Sequence, residues 1–558
     1  MAEAEDTAPA AMATPTPATS GRREMARRAG VVSVAVLASR VLGVVREQAF
    51  AVLFGAGREL DAFITAFRIP NLLRDLFGEG ALSAAFVARF TRALEQDGHE
   101  AAWQLANHVV NTLAVVVGGL TLLGIWAAPT IVAMIAPGFA DIPGKVELTV
   151  HLTRIMFPFL LLVACAAVAM GILNTHNVFG IPAAASAFFN LGSIVGGIAA
   201  AWWLAPGYFA SFVGGRPTAV DPVLVERAIT GMAIGTLVGG VLQLGVQLPR
   251  ARRLGWRWAP VLDPRDPGLR DVLRLMAPAT IGAAAVQVNV FVNSNFASYL
   301  GDGPVSWLNV AFRFMQLPIG LFGVAIGTVS LPTVSRHSAR GDHAAVSTTV
   351  GDALELVALL SLPAAVGLAV LGGPIIGLVY EHGRFGAADT HAAAGALAGY
   401  AIGLSGYAAI KVLAPSFYAL NDARTPMLVS LLSIAVNYAL NRTFVRTLGY
   451  GHVGLALSTS AVALANSIVL WAVLRRRVGP LGTGLWRTLG RIALATAVMG
   501  VTVYAVDAAV APRVGARTLG YALRLLVSVP AGVSIFAAAC VVLDVSVARR
   551  LVRRVRRA

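Results

Sequence analysis

Apolar runs of about 20 residues follow one another from Val31 to Val541. Each is near the length a helix needs to cross the ~30 Å hydrocarbon core of a bilayer. In lipid the backbone must satisfy its own hydrogen bonds, which these runs do by coiling into helices. The recurrence predicts an all-α polytopic membrane protein. Composition agrees: 57% of the 558 residues are hydrophobic and 13% are charged, against about 25% charged in soluble domains.

The runs number about fourteen by this length criterion. They are Val31–Phe54, Asp61–Phe90, Val109–Ile131, Leu152–Leu173, Pro182–Leu204, Ala228–Leu248, Val272–Leu300, Val305–Leu331, Ala353–Leu371, Ala392–Leu420, Met427–Leu440, Val453–Leu474, Leu489–Val510 and Leu523–Val541. The formal charge of +16 follows from topology rather than from a nucleic-acid-binding surface, because cytoplasmic loops collect arginine. Arg22, Arg23, Arg27 and Arg28 precede the first run. Arg250, Arg252, Arg253, Arg257, Arg265 and Arg270 follow the sixth, Arg475, Arg476 and Arg477 the twelfth, and Arg549, Arg550, Arg553, Arg554, Arg556 and Arg557 the last. Both termini are expected on the cytoplasmic side of the cytoplasmic (inner) membrane. No signal-peptide pattern is present. Cys165 and Cys540 each lie inside an apolar run and read as small buried side chains.

An internal repeat divides the chain. Ala66-Phe67-Arg68 followed by Leu76-Phe77-Gly78 recurs as Ala311-Phe312-Arg313 followed by Leu321-Phe322-Gly323, and FAVLFGAG from Phe50 resembles FASYLGDG from Phe296. The copies lie six runs apart, so they share one orientation, as in two-lobed transporters. The expected organisation is a disordered tail (1–28), a first six-helix lobe (29–248) and a basic linker (249–270). A pseudo-symmetric second six-helix lobe (271–476), two extra C-terminal helices (487–545) and a basic tail (546–558) follow. Gly192-x-x-x-Gly196 reads as a helix-packing motif.

The first copy carries charge that the second lacks. Between Ser39 and Arg92 lie Arg40, Arg46, Asp61, Arg68, Arg74 and Glu79. At the bilayer centre an Arg or Asp costs roughly 2.5–3.5 kcal/mol on insertion scales, so such residues face a bundle interior or a wet cavity. Shifted by the repeat, Asp61 corresponds to Ser306, Arg74 to Ile319 and Glu79 to Val324, and only Arg68 and Arg313 are matched charges. Arg68, Arg89 and Arg92 read as cytoplasmic-end charges that pair or snorkel. Arg40, Arg46, Arg74 and Arg313 read as a positive cavity for a ligand that carries a pyrophosphate, since guanidinium grips phosphate bidentately and stays charged. Asp61 and Glu79 read as partners of these arginines when the cavity is empty. Lys411, midway along the tenth run, is a cavity charge or a snorkelling one, and Glu47 and Asp75 read as local partners. His176 and His382 read as solvated loop residues. Pro70, Gly78 and Gly80 predict a broken helix there.

No phosphate-binding Gly-Lys-Ser/Thr loop, zinc-ligand spacing or nucleophile elbow is present, so neither an enzyme nor an ATP-driven pump is expected. Transport would draw on an ion gradient or the membrane potential. Competing readings are a drug or O-antigen-lipid exporter, a membrane glycosyltransferase, which would need acidic residues on a large outer loop, and a transport-dead scaffold.

The segments SRVLGVVRE, FGAG, DAFITAFRIPNLLRDLFGEGALSAAFV, SWLNVAFRFMQLPIGLFGVAIGTVSLP and KVLAPSFYALNDARTP closely resemble the MurJ (MviN) family. These are lipid II flippases of the multidrug/oligosaccharidyl-lipid/polysaccharide exporter superfamily. The resemblance implies fourteen helices around a central cavity, with a groove beside the last two for a polyprenyl tail. It implies alternating access for lipid II, the undecaprenyl-diphosphate disaccharide pentapeptide, with no cofactor. Membrane lipids and cell-division or cell-wall synthesis proteins are the other partners to consider. It implies functional roles for Arg40, Arg46, Asp61, Arg74, Glu79, Arg313 and Lys411. Some relatives bind sodium in the second lobe through carboxylates. The matching set here is Asn293, Asn437, Asn441 and Thr459, whose neutral groups hold sodium more weakly, which favours the membrane potential as driving force.

Overall fold

The computed structural model describes residues 17–77, 81–213, 221–482, 484–545 and 547–549. Twenty α-helices run through them in this order: α1 (Pro17–Phe54), α2 (Arg58–Phe77), α3 (Ala81–Arg92), α4 (Gly98–Ile135), α5 (Lys145–Met156), α6 (Phe159–Thr175), α7 (Gly180–Leu204), α8 (Pro206–Val213), α9 (Pro222–Gly245) and α10 (Leu248–Arg253). The second half continues with α11 (Pro267–Ser298), α12 (Pro304–Pro318), α13 (Ala325–Ala339), α14 (His343–Val370), α15 (Gly372–Tyr380), α16 (Ala387–Ala419), α17 (Arg424–Asn441), α18 (Gly451–Val478), α19 (Leu485–Val514) and α20 (Thr518–Val542). There is no β-strand among the described residues.

Among the described residues, eleven helical runs are long and apolar enough to cross a membrane. The count of about fourteen from sequence is not reached on that criterion, which leaves out α1, α2 and α11. In α2 the reason is charge: Arg58, Glu59, Asp61, Arg68, Arg74 and Asp75 fall within twenty residues. The tail expected to end at residue 28 is shorter in the structure, because α1 begins at Pro17. The stretch GRREMARRAG is rich in good helix formers and extends the first helix.

Helix starts follow from local chemistry. Asp221 and Asp266 each accept a hydrogen bond from a first-turn N–H and are followed by Pro222 and Pro267, opening α9 and α11; an acidic cap before a proline is a strong start signal. Asn177 and Asn421, in the turns after α6 and α16, both sit at φ 58°, a left-handed position that Asn tolerates better than most residues.

The packing repeats between the two halves. In the first, α1 packs on α7, α2 on α5, α3 and α4 on α6, and α9 on α7 and α6. In the second, α11 packs on α17, α12 and α13 on α16, α14 on α16, and α18 on α17 and α16. This is the pseudo-symmetry expected from the repeat, with α19 and α20 added as a pair against α14 and α15. The glycine motif works as a contact. A Cβ on Gly192 would lie 2.8 Å from Gly239 Cα, and one on Gly235 would lie 2.3 Å from Gly197 Cα, so α7 and α9 touch backbone to backbone.

The halves meet at the end that carries Gly55, Gly138 and Gly303, termed the outer end after the expectation that both termini are cytoplasmic. Ala51, Ala136 and Phe139 share one apolar core with Phe296, Val305 and Ile376. Arg384 N–H donates to Val52 O at 3.0 Å, and Gly138 N–H to Ser298 Oγ at 3.0 Å. On the inner side α11 lies against α3, with Arg89 3.5 Å from Asp271. The inner half of α1 is different. Val31, Val34, Leu37, Val41 and Val44 are exposed, whereas Phe50, Ala51, Leu53 and Phe54 are buried.

Candidate functional site

Besides the Arg89–Asp271 contact, two groups of charges join the halves among the described residues. The outer one is centred on Asp61, fully buried near the start of α2. Asp61 Oδ2 accepts from Lys145 Nζ at 3.1 Å and from Gly303 N–H at 2.8 Å, and Oδ1 accepts from Ser306 N–H at 2.9 Å and Ser306 Oγ at 2.7 Å. A carboxylate at the first turn of α12 also gains from the helix dipole. Asp61 and Ser306 are the repeat-related pair, so α2 and α12 touch where the two copies face each other. The partner of Asp61 is thus a lysine and a helix N-terminus, where the sequence reading had named arginines.

Lys145 was not foreseen. Its ammonium lies 4.2 Å from the centre of the Phe139 ring and also donates to Gly301 O at 3.2 Å and Asp302 Oδ1 at 2.8 Å. A signal was present: Lys145 and Lys411 are the only lysines among 44 basic residues. A compact ammonium with three donors suits this closed pocket better than a planar guanidinium.

The second group lies deeper. Arg313 Nη2 of α12 is 2.5 Å from Glu47 Oε1 of α1. Tyr380 Oη, at the end of α15, donates to Glu47 Oε2 at 3.5 Å. Arg46 Nη2 is 3.9 Å from Glu47 Oε1, and its guanidinium lies over the Phe189 and Phe67 rings at 5.3 and 6.0 Å. Arg313 and Arg74 are close enough for their charges to act on Arg46. Glu47, read from sequence as a local partner, is therefore, among the described residues, the carboxylate on which arginines from both halves converge. The side chain of Arg313 is 49% exposed and that of Arg46 15%.

The remaining expected residues fall in different places. Arg40 is exposed on the inner half of α1, one position past Ser39, whose carbonyl accepts from Asn190 Nδ2 of α7 at 3.0 Å. Lys411 is exposed on α16. Glu79, and with it the expected helix break at Gly78 and Gly80, lies outside the described residues. Pro70 sits inside α2. Arg68 is half-buried and donates to Ser294 Oγ of α11, so it bridges the halves rather than sitting at a cytoplasmic end. His176 is not solvated: it stacks on Trp103 with ring centres 5.5 Å apart.

Asn293, Asn437, Asn441 and Thr459 do come together. Asn293 Oδ1 accepts from Asn437 Nδ2 at 2.9 Å and from Asn441 Nδ2 at 2.8 Å, while Asn293 Nδ2 donates to Thr459 Oγ1 at 3.2 Å. Asn441 Oδ1 accepts from Ser458 Oγ. Of the three amide oxygens only Asn437 Oδ1 is left without a partner. A sodium ion wants several free oxygens and gains from a carboxylate. Asn293 Oδ1 is engaged with two amide donors and Asn441 Oδ1 with a hydroxyl, Asn437 Oδ1 alone is free, and none of these groups is charged, so the set as arranged does not fit a bound sodium ion. It fits interhelical hydrogen bonding, tying α11 to α17 and α18.

Two pseudo-symmetric helical lobes, joined at the outer end and sharing arginines around one glutamate, define a two-lobed membrane transporter. Known proteins narrow this. A family profile described as lipid II flippase MurJ matches residues 50–520. A lipid II flippase MurJ from Burkholderia cenocepacia is 37% identical over 450 residues, covering 80% of this chain and 83% of the relative. A probable lipid II flippase MurJ from Vibrio cholerae is 35% identical over 448 residues, covering 79% and 81%. A solved structure described as lipid II flippase MurJ in an inward closed conformation superposes with a TM-score of 0.72 at 25% identity, covering 92% of this chain and 99% of that one. An inward-facing multidrug transporter of the MATE family shares the fold, with a TM-score of 0.64 at 16% identity over 79% of this chain and 95% of that one. The chain belongs to the lipid II flippase MurJ family.

Proposed function

We propose that this protein translocates lipid II from the inner to the outer leaflet of the cytoplasmic membrane by alternating access. The observation that carries the reading is the meeting of Arg46 and Arg313, one from each lobe, on the single carboxylate Glu47. A diphosphate offers more acceptor oxygens and more charge than that carboxylate, and would replace it between the two guanidinium groups. Arg74 adds positive charge to the same place, and Arg40, on the exposed inner half of α1, meets the headgroup as it enters. Releasing the headgroup outside requires the hydrogen bonds of Asp61 to Gly303 and Ser306 to break.

In this reading α1, α2 and α11 also cross the membrane, giving fourteen spans with both termini in the cytoplasm. The protein catalyses no covalent chemistry. The membrane potential drives the cycle: each net negative charge moved outward across an inside-negative membrane gains about 2.3 kcal/mol per 100 mV.

The test uses purified protein in liposomes with labelled lipid II and, separately, with a cationic drug. Outward movement of lipid II by the native protein, its loss in Arg46→Ala and Arg313→Ala with normal insertion, and no drug transport are expected. Full activity of both variants refutes the site. Drug transport without lipid movement refutes the substrate.

A further inference from the structure

The segment joining the two lobes, between α10 and α11, carries a feature that the transport reading does not use. It is strapped to α4 by two asparagines one helical turn apart. Asn107 Nδ2 donates to Arg257 O at 3.0 Å, and Asn107 Oδ1 accepts from Trp256 Nε1 at 3.0 Å. Asn111 Nδ2 donates to Ala259 O at 2.7 Å and Val261 O at 2.8 Å, and Asn111 Oδ1 accepts from Trp258 Nε1 at 2.9 Å. Trp256 is buried in the first lobe. Trp258, Val261 and Leu262 are not: they are 61%, 49% and 52% exposed.

The depth of this strap follows from α4. Its exposed large apolar residues begin at Val115 and Val116, continue through Leu122, Leu123 and Trp126, and end at Met134. At 1.5 Å per residue that stripe is about 28 Å long, the thickness of a hydrocarbon core. Asn111 lies one turn before it, on the same face as Val115. Trp258, held on Asn111, therefore sits where the inner edge of the hydrocarbon gives way to headgroups. This is the level that tryptophan favours in membrane proteins.

Around it lie Arg250, Arg252, Arg253, Arg257 and Arg265, all exposed. The nearby acids are otherwise engaged: Asp263 accepts from Arg265 N–H, Asp266 caps α11 and faces His108 at 3.2 Å, and Asp271 faces Arg89. None of the five arginines forms an ion pair among the described residues.

We infer that this strap is a binding site for anionic phospholipid headgroups of the inner leaflet. Trp258, Val261 and Leu262 dip into the acyl boundary, and the five arginines hold the phosphates. Arginine near an anionic leaflet gains about fivefold in affinity per residue. Because the strap joins the lobes, lipid held there also anchors the hinge between them.

The test places the full-length protein in phosphatidylcholine bilayers with or without phosphatidylglycerol. Either lipid is brominated just below the headgroup, and the quenching lost in Trp258→Phe is taken as the contribution of Trp258. Brominated phosphatidylglycerol is expected to quench Trp258 at no more than about one-fifth the mole fraction that brominated phosphatidylcholine needs, the gain from a single arginine. In the variant carrying Arg250→Gln, Arg252→Gln, Arg253→Gln, Arg257→Gln and Arg265→Gln the two lipids should quench alike, with thermal unfolding unchanged. Equal quenching by both lipids in the native protein overturns the proposal. So does quenching of Trp258 by aqueous iodide and not by lipid, which would make the strap a cytoplasmic docking face. Should the fivefold variant unfold, Arg257→Gln and Arg265→Gln made singly carry the test: each is expected to reduce the preference, and an unchanged preference in both overturns it.

Discussion

The outer contact between the lobes should be adjustable one hydrogen bond at a time. Asp61 accepts four, and three of the donors, Gly303 N–H, Ser306 N–H and Ser306 Oγ, belong to the second lobe. A hydrogen bond to a charged group contributes about 1.5–3 kcal/mol. Ser306→Ala removes one and leaves the helix intact, so the ratio of outer-closed to outer-open protein should fall by roughly 10- to 100-fold. Lys145→Met is more severe. It leaves a buried carboxylate without its counter-ion, at a cost of about 3–5 kcal/mol, and also removes the ties to Gly301 and Asp302. Once the lobes part, water reaches Asp61 and that cost disappears, so both variants favour opening. Spin labels at Asp141→Cys and Ala388→Cys, on opposite lobes at this end and exposed, would report it by pulsed electron resonance after Cys165 and Cys540 are replaced. A longer-distance population should grow in Ser306→Ala, grow further in Lys145→Met, and stay at the parent level in Ser306→Thr, which keeps the hydroxyl. Identical distance distributions in the parent and both weakened variants would refute the reasoning.

Three other outcomes follow. Glu47→Gln should tighten lipid II binding in native mass spectrometry while slowing transport, because Glu47 occupies the guanidinium groups of Arg46 and Arg313 when no diphosphate is there; weaker binding would show that Glu47 orders the site instead. Gly235→Val should prevent accumulation of folded protein, since even a Cβ there meets Gly197 Cα at 2.3 Å, whereas Gly118→Ala, which meets nothing, should be neutral by thermal unfolding in detergent. Asp422, in the turn before α17, has its carboxyl held below the usual range by the Thr425 hydroxyl and N–H, with Arg477 adding to the effect. Its folded value is depressed, so its contribution is present above the unfolded value of 3.8 and is lost as pH falls through the folded one. The difference in unfolding midpoint between the native protein and Asp422→Asn should therefore persist at about pH 6 and shrink as the pH falls below 3.8.

The lobes and the charged half of the site were legible because apolar length and the Ala-Phe-Arg repeat are properties of the chain alone. The asparagine set was legible through the family resemblance, and it assembles as matched. What the sequence could not show is which neighbour of a charge faces the other lobe. Arg46 and Glu47 are adjacent, yet Glu47 proved the shared partner because Arg313 and Tyr380 arrive from distant helices. Arg40 and Arg46, six residues and about 120° apart on one helix, end in different surroundings because the inner half of α1 packs on α7 along one face and leaves Arg40 exposed, whereas the outer half is buried among other helices. Arg68 read as cytoplasmic because the second apolar run is long. The helix starts at Arg58, close to the lobe contact around Asp61, which puts Arg68 about 15 Å further along, within reach of Ser294. The pocket around Lys145 forms only when Phe139, Gly301 and Asp302 meet across the lobes, and no local pattern announces that.

The most direct measurement is the fraction of lipid II reachable from outside the cell after this protein is depleted and then restored in native or Arg313→Ala form. Loss of exposed lipid II on depletion, recovered by the native chain and not by Arg313→Ala at equal membrane levels, is the predicted result. Exposed lipid II that stays constant through depletion, or that recovers equally with Arg313→Ala, would contradict the account.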